Sequence, residues 1–163
     1  LEYQHHKPGR GNAIIRTKIR NMRTGSIIPR TFLDGHRFEE APVERRKAQY
    51  LYNDGDYYYF MDSETYEQNR AHVDRLGDKA DFLQDNMDVT LTLHESEILD
   101  VELPASVELE VVRSEMAVAG DTATGASKTV VCDTSLRVQV PLFVEVGDTI
   151  RVNTNTGEYV TRV

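Results

Sequence analysis

Asn53-Asp54-Gly55-Asp56 separates two aromatic-rich runs, Gln49 to Tyr52 and Tyr57 to Met61. Asp-Gly between two such runs is a strong short-range signal for a tight β-hairpin. The same punctuation recurs at Asn21-Met22-Arg23-Thr24-Gly25, Asp34-Gly35 and Thr156-Gly157. Between these turns the chain alternates apolar and polar residues with period two. Ala13 to Arg20, Ser26 to Phe32, Val89 to Leu93, Ile98 to Leu103 and Val107 to Val111 all fit strands. Further strands are expected at 129–133, 136–144 and 149–153, with a closing strand from Glu158 to Val163. Pro29 marks its strand as an edge or a bulged one. Only 72–86 looks helical, with Asp78 expected to cap a short turn that holds Ala80, Phe82 and Leu83 and ends at Asn86. Short strands at regular spacing with Gly, Asp and Asn turns predict small barrels. The pattern restarts near 40–42 and again at Pro104, and no exact sequence repeat is visible.

Charge divides the chain. Residues 1–47 hold 11 Lys and Arg against 5 Asp and Glu, whereas the remaining 116 residues hold 8 against 22. A net of +6 is thus followed by a net of −14, for −8 overall. A basic end suits a polyanion, and an acidic remainder resists non-specific association. A general nucleic-acid coat would be basic throughout. The single cysteine, Cys132, allows no intrachain disulfide and no cysteine zinc site, fits a reducing cytoplasm, and is expected to be a small half-buried strand residue. No apolar run is long enough to span a bilayer, and no signal peptide is visible. Leu1 lies inside a strand-like stretch, so the sequence is taken as a fragment lacking its true N-terminus.

Two stretches stand out as candidate sites. In 13–20, Ile15, Thr17 and Ile19 share one face, and Arg16, Lys18 and Arg20 the other. A basic outer face can be plain solvation or phosphate contact. Just before it lies His5-His6-Lys7-Pro8-Gly9-Arg10-Gly11-Asn12-Ala13, where Pro8, Gly9 and Gly11 allow a sharp turn around one long cation, Arg10. The second stretch is the long connection 113–128, a length that in small β domains usually marks function or mobility. Tyr57-Tyr58-Tyr59-Phe60 suggests a base-stacking platform, but sheet core with cross-strand pairs is the better reading, because alternate rings face inward. His5 and His6 point to opposite strand faces and His36, His72 and His94 are scattered, so no metal site is expected. No phosphate-cradling loop, nucleophile motif or acid–base couple stands out, which disfavours an enzyme.

Taken together, these residues resemble bacterial translation elongation factor P over essentially the whole chain. The resemblance is carried by His6-Lys7-Pro8-Gly9-Arg10-Gly11, Asn21 to Gly25 with Thr31-Phe32, and Tyr50 to Gly55. It continues through Phe60 to Gln68, Val101 to Pro104, Gly120-Asp121-Thr122, Val138 to Val144 and Asn153 to Val160. It implies an all-β chain of three small β-barrel domains in an L shape. These would be an SH3-like or KOW-like domain at 1–41 with its first strands missing, an OB-like middle domain at 42–104, and an OB-like C-terminal domain at 105–163.

The resemblance also implies a role. Such a factor binds the ribosome between the peptidyl-tRNA and exit sites and relieves stalling at consecutive prolines, while the ribosome remains the catalyst. Arg10 takes the tip that faces the CCA end of the peptidyl-tRNA, flanked by Lys7, Pro8, Gly9 and Gly11. In much of the family that tip is a modified lysine. Arginine lacks the amine that is β-lysylated. Some arginine-tip members are rhamnosylated and read Ser-Gly-Arg-Asn, whereas others read Gly-Arg-Gly as here. A modifying enzyme acting on Arg10 therefore stays open, with an unmodified side chain preferred. Arg16, Lys18, Arg20, Tyr159 and Arg162 are the expected tRNA or ribosomal RNA contacts. Tyr159 can equally be a core aromatic, and Arg162 a solvated terminal charge. Gly120, Asp121 and Thr122 would face messenger RNA in the exit site. Nearby, Lys128-Thr129-Val130 replaces the family's Lys-Pro-Ala and Ser135 replaces a usual glycine. A cytoplasmic monomer without cofactor, metal or membrane partner is expected. The competing reading is a general OB/SH3-like module for single-stranded RNA.

Overall fold

The computed structural model describes the chain apart from Leu1, Lys7, Pro8, Arg10, Asn12, residues 116–125 and the side chain of Tyr3. Among the described residues, the alternating segments form thirteen strands in three antiparallel sheets. The first sheet is β1 (Glu2–His6), β2 (Ile14–Arg20) and β3 (Ile27–Leu33), in that order. Pro29 lies on β3, an edge strand, where its missing N–H breaks no ladder beyond it. The second sheet holds β4 (Glu44–Asn53), β5 (Tyr57–Asp62), β6 (Gln68–His72), β7 (Asp88–His94) and β8 (Glu97–Glu102), in the order β6-β5-β4-β7-β8. The third holds β9 (Ser106–Ser114), β10 (Ser127–Cys132), β11 (Arg137–Pro141), β12 (Thr149–Asn153) and β13 (Tyr159–Arg162), in the order β11-β10-β9-β12-β13. Numbered within each unit, both five-stranded sheets run third, second, first, fourth, fifth. The repeat absent from the sequence is present in the topology.

Burial follows the pleat. Val107, Leu109 and Val111 enter the third core while Glu108 and Glu110 stay outside. Val89, Leu91 and Leu93 do the same in the second. Tyr58 and Phe60 face the second core, where Tyr50 packs on both rings at 5.9 and 5.7 Å between centroids. The core reading of the tyrosine run therefore holds for its inward pair. Cys132 is buried at the end of β10, deeper than the half-burial expected, and burial pushes its thiol up to about 11.

One turn occurs three times, once in each unit. Asn21, Asp62 and Asn153 each accept two backbone N–H groups on Oδ1, from the residues two and three places ahead. Thr24, Thr65 and Thr156 then accept from the N–H two places on. A backbone pair closes each turn, as in Asn21 N–H to Ser26 C=O at 2.9 Å and Gly25 N–H to Asn21 C=O at 2.8 Å. The pattern is Asn or Asp, two residues, then Thr, and it works because each side chain satisfies amides that the strands leave open. The fifth residue has positive φ: 74° at Gly25, 61° at Tyr66 and 74° at Gly157.

The helical stretch differs from expectation. A single α turn, α1 (Val73–Leu76), is capped by His72, whose Nδ1 lies 3.2 Å from the Asp74 amide. Gly77, at φ 54°, breaks the helix, and a 3-10 segment Gly77–Phe82 follows without a side-chain cap, so Asp78 caps nothing. The change of winding sends neighbouring side chains to different cores. Leu83 joins the second sheet's cluster and Phe82 the third's. Phe82 thereby bridges the two units, supported by Gln84 Nε2 on the Glu108 carbonyl at 2.9 Å. The first unit meets the second through charge. Arg75 Nη1 donates to the Met22 carbonyl at 2.7 Å, and Glu97 lies 3.4 Å from Arg23 and 3.5 Å from Arg75. Ser135 holds φ 72°, a left-handed state that glycine adopts without strain.

Candidate nucleic-acid interface

The candidate interface begins with β2. Arg16, Lys18 and Arg20 are exposed and Ile15, Thr17 and Ile19 are half-buried, as the period-two pattern predicts. Lys18 lies 3.1 Å from Glu2 across the sheet, with both side chains well exposed, so solvent screens the pair. Arg20 also lines the cleft at the contact with the second unit, beside Asn21, Arg75 and Asp100. The opposite face of this sheet is an apolar cleft lined by Ile15, Ile19, Phe32, Leu33 and Phe38.

Strands β1 and β2 pair from Glu2 opposite Lys18 to His6 opposite Ile14, so 7–13 is the connection between two paired strands. Ala13, buried, anchors its base by accepting the Asp34 amide at 2.8 Å. Gly11 has φ 125°, a state that side chains rarely adopt, so this position requires glycine. A Cβ added at Gly9 or Gly11 would meet no atom within 4 Å, so both glycines stand clear of the sheet. Lys7, Pro8 and Arg10 lie outside the described residues.

The other expected contacts are dispersed. Tyr159 is half-buried and packs against the third core. Arg162 is exposed; its guanidinium sits 5.2 Å from the Phe143 ring centroid and 3.5 Å from Asp148. Both are on β13, in a different sheet from β2. Gly120, Asp121 and Thr122 lie outside the described residues. The strand ends that flank them are tied together by Glu115, whose N–H donates to Thr129 at 2.9 Å and whose carboxylate takes Arg137 at 2.6 Å. Among the described residues no group of three or more His, Cys, Asp or Glu could hold a metal, and no helix is long and apolar enough to cross a membrane.

One feature of this surface escapes a sequence reading. A bulge at Leu51 shifts the β4–β5 register, so Tyr50 opposes Phe60 while Tyr52 opposes Tyr59. Tyr52 thus leaves the core side and stacks on Tyr59 at 4.6 Å and 15°. Arg70 covers Tyr57 at 4.3 Å on the same sheet.

Two five-stranded sheets of identical strand order, preceded by a three-stranded sheet with a basic face, define an all-β protein built of three small units. Family models agree unit by unit: an elongation factor P KOW-like domain over 1–38, the elongation factor P OB domain over 43–101, and the elongation factor P C-terminal domain over 107–162. The chain is 51% identical over 162 residues to elongation factor P of Moorella thermoacetica, covering 99% of this chain and 88% of that protein. It is 50% identical to the protein of the same name in Thermoanaerobacter sp. and 49% to that of Caldanaerobacter subterraneus, in both cases over 100% of this chain and 88% of the relative. The chain belongs to the elongation factor P family, a family of translation elongation factors rather than classical enzymes.

Proposed function

We propose that this chain binds the ribosome between the peptidyl-tRNA and exit sites and stimulates peptide bond formation at consecutive prolines. The supporting observation is the full-length kinship to elongation factor P, joined to an exposed basic strand face beside a glycine-flanked hairpin connection. Arg10 occupies the middle of that connection, between Gly9 and Gly11. A guanidinium there braces the CCA end of the peptidyl-tRNA. Proline is a poor nucleophile, and holding the ester in attack geometry lowers the entropic part of the barrier. Arg16, Lys18 and Arg20 supply phosphate contacts, Tyr159 and Arg162 a second contact with tRNA, and the 120–122 loop faces messenger RNA. The protein acts in the cytoplasm as a monomer, and Arg10 acts unmodified; an intact-mass measurement on protein from the native host tests that last point.

The binding test is co-sedimentation with ribosomes carrying peptidyl-tRNA. Reversing Arg16, Lys18 and Arg20 to glutamate should weaken binding at least about tenfold and flatten its salt dependence, since three phosphate contacts are lost. Equal affinity for free single-stranded RNA and for ribosomes would instead favour the general RNA-binding module.

A further inference from the structure

The tyrosine run divides between the two faces of the second sheet. Tyr58 and Phe60 enter the core, which leaves Tyr57, Tyr59 and Met61 on the outer face of β5. On β6, His72, Arg70 and Gln68 stand opposite them in register on that same face. None of these six is a carboxylate, although they lie in the acidic part of the chain. Tyr52, Tyr59 and Arg70 form one row across three strands. Tyr52 stacks on Tyr59 at 4.6 Å and 15°, yet Tyr52 remains 50% exposed. The Tyr59 hydroxyl donates to Asp54 at 2.9 Å, and the other oxygen of Asp54 accepts the Asp56 and Tyr57 amides. The ring pair is thus held in place, and the carboxylate beside it is already engaged.

The third unit shows what the fold alone requires. It has the same strand order and the same bulge, since Val111 opposes Cys132 while Arg113 opposes Val131. The row equivalent to Tyr52, Tyr59 and Arg70 is there Arg113, Val131 and Arg137. The sheet therefore forms without rings at these positions, and strand pairing does not account for them.

We propose that this outer face stacks an unpaired base of ribosomal RNA on the open side of Tyr52, with Arg70 taking an adjoining phosphate. The inference rests on the ribosome-binding reading above. The second and third strands of an OB barrel form the face that receives oligonucleotides, and β5 and β6 hold those places here. An exposed aromatic ring stacks any base, because every base has a π-face. Arg70 lies two strand spacings, about 10 Å, from Tyr52, and a guanidinium suits phosphate geometry. A basic protein segment would find no carboxylate among the six outward residues of β5 and β6.

The test uses the whole chain and ribosomes carrying peptidyl-tRNA. Tyr52→Thr should bind them about tenfold more weakly, whereas Tyr52→Phe, which keeps the ring, should bind within about twofold of the unsubstituted chain. Photoreactive p-benzoylphenylalanine at position 52 should form an adduct that, after nuclease and protease digestion, carries a nucleotide on the peptide containing residue 52. This crosslink decides the matter even where Tyr52→Thr is destabilised. Unchanged ribosome affinity of Tyr52→Thr, a loss by Tyr52→Phe equal to that of Tyr52→Thr, or an adduct to a ribosomal protein peptide would each overturn the inference while leaving ribosome binding intact. So would the absence of any adduct at full occupancy. Failure of the unsubstituted chain to sediment with ribosomes would instead remove the underlying reading, and this inference with it.

Discussion

Phe60→Ala should lower the stability of the second barrel by about 3–5 kcal/mol. Phe60 is 0% exposed, at the centre of β5, in a cluster with Tyr50, Leu91 and Val101. Removing the ring deletes apolar contacts and leaves a cavity that two flanking strands cannot collapse into. A domain is typically stable by only about 5–15 kcal/mol, so the loss is a large share. Urea unfolding followed by tyrosine fluorescence reads it as a lower midpoint. Phe60→Leu, which refills most of the space, should cost under about 1.5 kcal/mol. Equal midpoints for Phe60→Ala and the unsubstituted chain would show that the second core is not organised around this ring.

Asp62→Ala is expected to be the second most damaging change. Asp62 is 4% exposed and gathers four groups: Arg46 Nε at 2.8 Å, the Glu64 and Thr65 amides at 2.8 and 2.9 Å, and, through its carbonyl, the Tyr66 amide at 3.0 Å. Alanine removes the side-chain acceptors, leaving Arg46 and two amides short of a partner, and should lower Tm by roughly 5–10 °C. Asp62→Asn should cost less. Asn21 and Asn153 hold the same turn with an amide oxygen, so only the charge pairing with Arg46 is lost. The carboxyl is held down to about 2 from 3.8, first by the Thr65 amide and then by Arg46 and the Glu64 amide. A depressed carboxyl stabilises the fold above its unfolded value and loses that contribution as pH falls. Acid unfolding should therefore have a component between about pH 4 and pH 2 that Asp62→Asn lacks.

Strand pattern was legible because period-two burial depends only on neighbours in sequence. Val107, Leu109 and Val111 on β9, and the face Arg16-Lys18-Arg20 on β2, needed no tertiary knowledge. Asp54-Gly55 announced its hairpin for the same local reason. What resisted reading depends on contacts between distant segments. Phe82 and Leu83 are adjacent yet belong to different cores, and only the 3-10 winding after Gly77 separates them. The Leu51 bulge turned Tyr52 outward against the simple alternation. The threefold turn was present as Asn21…Thr24, Asp62…Thr65 and Asn153…Thr156, but its members share too few identities to register as a repeat. Of the candidate site, the basic face and the conformation of Gly11 follow from local chemistry. The cleft that Arg20 shares with Arg75 and Asp100 does not, because it requires the first and second units to be brought together.

Arg10 is proposed to assist peptide transfer to proline. The most direct test is translation of a reporter containing consecutive prolines, with Arg10→Ala compared with the unsubstituted chain at matched ribosome occupancy. Arg10→Ala should still bind ribosomes and still unfold at the unsubstituted Tm, yet fail to relieve the polyproline stall and leave a proline-free reporter unaffected. Full relief by Arg10→Ala would contradict that role.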